Sequence, residues 1–212
     1  MNKFAPDRKR FAADPLGYGA MAWHQWELAI CTATGVGGPR RAPHAGDLKN
    51  ALLWLTQAHA LAVAARTVLA KQPQWETMPV WVHGACDSQY CGAGLMLVGY
   101  SLEVCLKAML ILKYGVDIYT EDEKKFLHHK LERLAEFIPD LTSKDRAILR
   151  ALTHYVEWAG RYPDPGTGRE EKFEEVFSLT ERYKISAADL FKLAGHVMKY
   201  SNEVVESARA KT

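Results

Sequence analysis

Several features that would assign a protein class at once are missing from this 212-residue chain. It has only four cysteines, and no second ligand pair with zinc spacing follows His83-x2-Cys86-x4-Cys91. The glycines at 35–38 lack the Lys-Ser/Thr and the preceding strand of a phosphate-binding loop. We therefore expect free thiols in a reducing compartment and neither a metal nor a cofactor.

Charge of one sign is not in excess either. The sequence has 27 Lys and Arg against 25 Asp and Glu, a formal net charge of +2. Domains that bind nucleic acid through its phosphates usually carry a much larger basic excess, so this balance permits RNA binding without indicating it. Neither the first 14 residues nor any later window has the apolar run of a signal peptide or of a membrane span of about 18 residues. We expect a soluble, cytoplasmic protein with no membrane partner.

Helical periodicity dominates what is present. Apolar residues recur at helical spacing in five long segments, at about 48–71, 87–114, 121–138, 144–160 and 187–208. Expected N-caps are Asp47 for the first and Thr120, through a Thr-x-x-Glu capping box, for the third. An acidic stretch from Glu170 predicts a shorter helix that ends near Tyr183. Residues 75–84 are expected to form a loop.

The predicted fold class is all-α, an up-and-down helical bundle of four to five main helices with an N-terminal extension. Residues 1–46 form the predicted extension, partly irregular because residues 35–43 are rich in Gly, Pro and Arg. Residues 47–212 form the predicted bundle, as one domain.

A polar seam crosses the most apolar of these helices. Glu103 and Lys107 are four residues apart and therefore share a helix face. Charged groups in a bundle core are costly unless they are partnered, so the seam is either an ion pair that fixes helix register or the wall of a site. Pro163 ends a later helix, and Arg161 could reach back from there toward Glu103.

The order of three short motifs resembles the HEPN family (higher eukaryotes and prokaryotes nucleotide-binding). The motifs are Glu103-x3-Lys107-Ala108, His129-x-Leu131 and Arg161-Tyr162-Pro163, and the resemblance covers about residues 48–205. It implies a bundle of four to five helices, often a homodimer, found in toxin–antitoxin and defence modules or beside a nucleotidyltransferase. It also implies that His129 faces the preceding long helix, which leaves His128 facing outward.

The expected function follows from the resemblance. It is a non-catalytic HEPN-like domain that binds a nucleotide, RNA or a protein partner, such as a nucleotidyltransferase or an antitoxin. The ligand would lie in an inter-helix groove lined by Glu103, Lys107, His129 and Arg161.

Two alternatives remain open. The first is a metal-independent endoribonuclease with Arg150 and His154 as its catalytic residues. They belong to a polar stripe, either a solvated face or a phosphate-binding strip, formed by Arg146, Arg150, His154, Glu157 and Arg161. Ribonucleolytic HEPN proteins carry Arg-x4-6-His, whereas this chain has Arg150-x3-His154 and Arg146-x7-His154, so enzyme activity is not the favoured interpretation. The second alternative is a structural protein-interaction module.

Overall fold

The structure, a computed structural model, describes residues 5–35 and 42–210. Most of the loop predicted at 35–43 lies outside the described residues. Two compact units divide the chain, residues 1–53 and 54–212. The boundary falls within a helix, whereas the sequence interpretation began the bundle at residue 47.

The first unit contains short helices and the start of a long one. They are α1 (Arg8–Ala13), α2 (Pro15–Ala20), α3 (Ala22–Thr34), α4 (Ala45–Leu48) and the first residues of α5 (Ala51–Ala70). Asp47 does not cap α5, because it lies inside α4. Asn50 is the cap instead, since its Oδ1 accepts the backbone N–H groups of Leu52 and Leu53 at 3.0 and 3.3 Å.

The second unit holds the rest of α5 and a 3₁₀ turn (Val80–Val82). The helices that follow are α6 (His83–Tyr114), α7 (Val116–Glu121), α8 (Glu123–Phe126), α9 (Leu131–Leu134), α10 (Ser143–His154), α11 (Glu171–Tyr183) and α12 (Ala187–Arg209). A π-helical turn, Tyr155–Ala159, continues α10. Within the described ranges the chain forms helices and no strand, which confirms the all-α class, with α5, α6, α10, α11 and α12 as its main helices.

Helix α6 is central to the second unit, where it contacts α7, α9, α10 and α12. Most of its residues from Gly99 to Ile111 are buried. At Gly99 the π-helical turn comes so close that a Cβ on this residue would lie 2.5 Å from Val156 Cγ2. This close approach brings the polar seam of α6 next to the elements that carry the other candidate residues.

The prediction of one long helix over residues 121–138 is wrong. Thr120 lies inside α7, where its hydroxyl donates to the carbonyl of Val116 at 2.7 Å, so it does not cap a new helix. The chain breaks into α7, α8 and α9, with residues 127–130 outside any helix. The break allows Tyr119 and Leu131, 2% and 0% exposed, to enter the core from separate short segments.

Two helical segments are long and apolar enough to pass as membrane spans by length and composition alone. They are Ala45–Ala70 and Val80–Tyr114, with mean hydropathies of 1.3 and 1.9. Core helices of soluble proteins meet the same criteria of length and composition. In the second segment, 61% of the 18-residue window that meets these criteria is buried within the protein, as expected for the central helix of a bundle.

Candidate functional site

Glu103 is the centre of the predicted site. It is 5% exposed, and each of its carboxylate oxygens has a cationic or titratable partner. Lys107 Nζ donates to Oε1 at 2.8 Å, and His129 Nδ1 lies 2.8 Å from Oε2. Because a carboxylate accepts only, the proton of this second bond is on Nδ1 of His129. Three of the four residues predicted to converge therefore form one connected cluster.

The position of His129 depends on the non-helical segment 127–130. Leu131, directly after it, is fully buried, and its backbone N–H donates to Thr153 Oγ1 on α10 at 3.0 Å. The edge of the Tyr100 ring packs against the imidazole, with 6.2 Å between ring centroids. These contacts hold His129 against α6, as predicted, while its side chain remains 45% exposed.

Arg161 does not reach Glu103, which corrects the predicted four-residue cluster. Its guanidinium donates to the backbone carbonyl of Glu157 and lies 5.5 Å from the centre of the Tyr162 ring. The π-helical turn before it, closed by the Gly160 N–H to Tyr155 carbonyl bond at 3.1 Å, changes the direction in which the chain leaves α10. Arg161 consequently lines the same cavity as His129 without joining the buried pair.

We call this cavity the basic groove. It has a volume of about 660 Å³ and lies between the end of α10, the loop 163–170 and the start of α11. The groove-lining residues used below are His129, Arg161, Tyr162, Arg169 and Lys172. Sequence reasoning missed Arg169 and Lys172. The signal available for them was the Pro163–Gly168 turn, whose length suits a loop that covers a groove.

Three cations and two carboxylates line the groove. Glu157 Oε2 pairs with Lys172 Nζ at 3.1 Å, and Asp164 Oδ1 accepts the backbone N–H of Gly166 at 2.7 Å. Among the residues that the structure describes, the Arg169 side chain has no partner. The groove can therefore offer the guanidinium groups of Arg161 and Arg169 to an anion.

Arg150 and His154 lie outside the groove and are bound to a carboxylate of α11. The Arg150 guanidinium and His154 Nε2 lie 2.5 and 3.0 Å from the two oxygens of Glu175. The indole N–H of Trp158 donates to His154 Nδ1 at 3.3 Å. His154 is 6% exposed and both of its ring nitrogens are occupied, so the stripe is not one solvated face.

His128 is half-buried rather than outward-facing, which corrects the prediction. Its Nδ1 accepts the backbone N–H of Lys130 at 3.2 Å. Burial lowers the pKa of His128, and the neighbouring cations Arg133, Lys107 and Lys130 lower it further. Although adjacent in sequence, His128 and His129 line different cavities.

Comparison with known proteins adds nothing to this geometry. No family model, curated protein or solved structure matches the chain. Within residues 5–35 and 42–210, no group of three or more His, Cys, Asp or Glu is placed to hold a metal ion. The basic groove and the Glu103 cluster are therefore the features from which a function can be inferred.

Proposed function

We propose that this protein binds a phosphate-bearing ligand, a nucleotide or a segment of RNA, in the basic groove, as a non-catalytic HEPN-like domain. The observation that carries the proposal is that two guanidinium groups, an exposed tyrosine ring and an oriented histidine line one cavity. Each of these groups matches a different part of a nucleotide.

The phosphate would bind Arg161 and Arg169. Guanidinium groups present several N–H donors in a planar fork that fits phosphate oxygens, and these charge-assisted bonds are about twice as strong as neutral ones. Because the Arg169 side chain has no partner among the described residues, it breaks no existing contact there when it binds phosphate. Arg161 gives up one bond to a backbone carbonyl.

The base would stack on Tyr162. Its ring is 59% exposed and adjoins Arg161, and stacking of a base on an aromatic side chain contributes about 1–3 kcal/mol without requiring a particular sequence. His129 is the group suited to the sugar. Since Glu103 holds the Nδ1 proton, Nε2 of the neutral ring is an acceptor for a hydroxyl.

A binding titration with matched variants tests this proposal. The probes are a fluorescent adenosine triphosphate and a short single-stranded RNA, each titrated at two salt concentrations. We expect Arg161→Gln and Arg169→Gln each to weaken binding about tenfold, as loss of a hydrogen bond to a charged group implies, and to reduce the salt dependence. Arg182→Gln, which removes the same charge from an exposed position near the end of α11, is the control.

Two results would contradict the proposal. One is unchanged affinity in both groove variants. The other is an equal loss in Arg182→Gln, since that would show a response to net charge rather than to the groove.

One observation favours a second candidate function, metal-independent RNA cleavage. The Glu103–His129 pair has the geometry of a carboxylate that orients a histidine base, and it lies at the groove rather than at His154. If cleavage occurs, it should persist in EDTA, be lost in His129→Gln and be retained in His154→Gln. Loss in His154→Gln with retention in His129→Gln would restore the Arg150 and His154 alternative.

We further propose a cytoplasmic homodimer, with a nucleotidyltransferase or an antitoxin as its partner in a toxin–antitoxin or defence module. Exposed aromatic side chains support an apolar contact, among them Phe177 and Phe191, 61% and 54% exposed. The same exposure supports the alternative of a structural interaction module. Light scattering at micromolar concentration tests the dimer, and a monomer would contradict it.

A further inference from the structure

We propose a second ligand site, separate from the basic groove, that takes a small anion with a planar apolar group, such as an aryl phosphate or an aromatic carboxylate. The site, which we call the Arg133 pocket, is a cavity of about 200 Å³ formed by the end of α6 and the segments around α8 and α9. Its chemistry differs between floor and rim, and this difference defines the ligand.

The floor and walls of the Arg133 pocket are apolar and aromatic. Leu110 and Leu134, 4% and 3% exposed, form the floor. Phe126 and Phe137 form walls, and Phe126 is held in place by stacking on Tyr119 with 5.1 Å between centroids and 6° between ring planes. A flat apolar group of the ligand would be buried between such rings.

The rim is basic. Arg133 lines the cavity, and among the described residues its side chain has no partner. Lys125 also lines the cavity, and its Nζ forms an ion pair with Asp122 Oδ1 at 2.7 Å. Lys113 Nζ lies 5.3 Å from the centre of the Phe137 ring, which adds positive charge next to one wall of the cavity. Glu136 is the carboxylate among the lining residues.

His128 also lies at the rim, and its pKa responds to the charges there. Because its Nδ1 accepts the Lys130 N–H, the neutral ring carries its proton on Nε2 and can donate it to an anion. Arg133, Lys107 and Lys130 lower its pKa, after the larger effect of burial, and Glu103 opposes them. An anion beside Arg133 would offset these cations and raise the pKa of His128.

The decisive experiment is a titration of the full chain with phenyl phosphate, benzoate and inorganic phosphate, followed by calorimetry and by the imidazole NMR signals. We expect at least one of the ring-bearing anions to bind about tenfold or more tighter than inorganic phosphate, since only they fill the aromatic walls. Their relative affinities then identify the preferred head group. Binding should raise the apparent pKa of His128.

Matched variants locate the binding. Arg133→Gln should lower the affinity for the ring-bearing anions about tenfold, as loss of a charge-assisted bond implies. Lys124→Gln, the same charge change at an exposed neighbour that does not line the cavity, should leave the affinity for these anions unchanged. Tyr114 also lines the cavity and is 42% exposed, so Tyr114→Ala should weaken binding of the ring-bearing anions but not of inorganic phosphate.

Urea denaturation of each variant shows whether it is folded before its affinity is compared. The proposal is overturned if neither ring-bearing anion binds tighter than inorganic phosphate. It is also overturned if folded Arg133→Gln and Lys124→Gln bind alike. Unchanged binding in folded Tyr114→Ala would likewise remove the argument for an aromatic pocket.

Discussion

Replacing Glu103 by leucine should destabilise the protein more than replacing its partner Lys107 by methionine. Lys107 is 8% exposed and Glu103 is 5% exposed, so both charges are largely removed from water. In Glu103→Leu the ammonium loses the carboxylate 2.8 Å away and remains buried without compensation. Removing one partner of a buried ion pair in this way costs about 3–5 kcal/mol.

Lys107→Met is different because Glu103 keeps a second partner. His129 Nδ1 still donates to its other oxygen at 2.8 Å, where the sequence interpretation had placed Arg161. The expected loss is about 1.5–3 kcal/mol, the contribution of one hydrogen bond to a charged group. The double variant, with leucine and methionine in place of the pair, removes both buried charges. It should therefore be more stable than the sum of the two single losses implies.

Urea denaturation followed by circular dichroism measures these differences, since urea is uncharged and does not screen ion pairs. Glu206→Leu is the matched control, because Glu206 is 69% exposed and pairs with Arg209 at the surface of α12. We expect no measurable change there. Equal losses in the two single variants would refute the assignment of His129 as second partner. Strict additivity in the double variant would refute the coupling of Glu103 with Lys107.

Three further predictions concern packing, pH and capping. Gly99→Ala should cost about 1–3 kcal/mol in urea denaturation, because the new methyl would lie 2.5 Å from Val156 Cγ2. Gly195→Ala, where no atom lies within 4 Å, should be neutral or stabilising. Stability should fall as the pH drops below about 6.5, since the pKa of His128 is lower in the folded chain than in the unfolded one, and His128→Gln should flatten this slope. Ser186→Ala should lower the thermal midpoint and cost about 1 kcal/mol through loss of the α12 cap, and an unchanged midpoint would show that the cap contributes nothing.

Features that depend on neighbours a few residues away could be predicted from the amino-acid pattern. Apolar periodicity located α6 and α12, and polar side chains directly before α12 and α10, Ser186 and Thr142, cap these helices. The Glu103–Lys107 pair was predictable for the same reason, since residues four apart on one helix must share a face. In these helices local periodicity and capping agree with the tertiary environment, whereas the caps predicted at Asp47 and Thr120 and the helix predicted for 121–138 were overridden by it.

Contacts between residues from distant segments depend on how the helices pack, and no local pattern predicts them. Glu175 of α11 covers His154, and Arg169 and Lys172 join Arg161 and His129 at the basic groove, although no spacing in the sequence links these positions. The breaks near residues 121–130 and the π-helical turn after His154 have the same origin. Short segments bend where buried side chains must reach α6, because the free energy of packing there exceeds the small local preference for an unbroken helix.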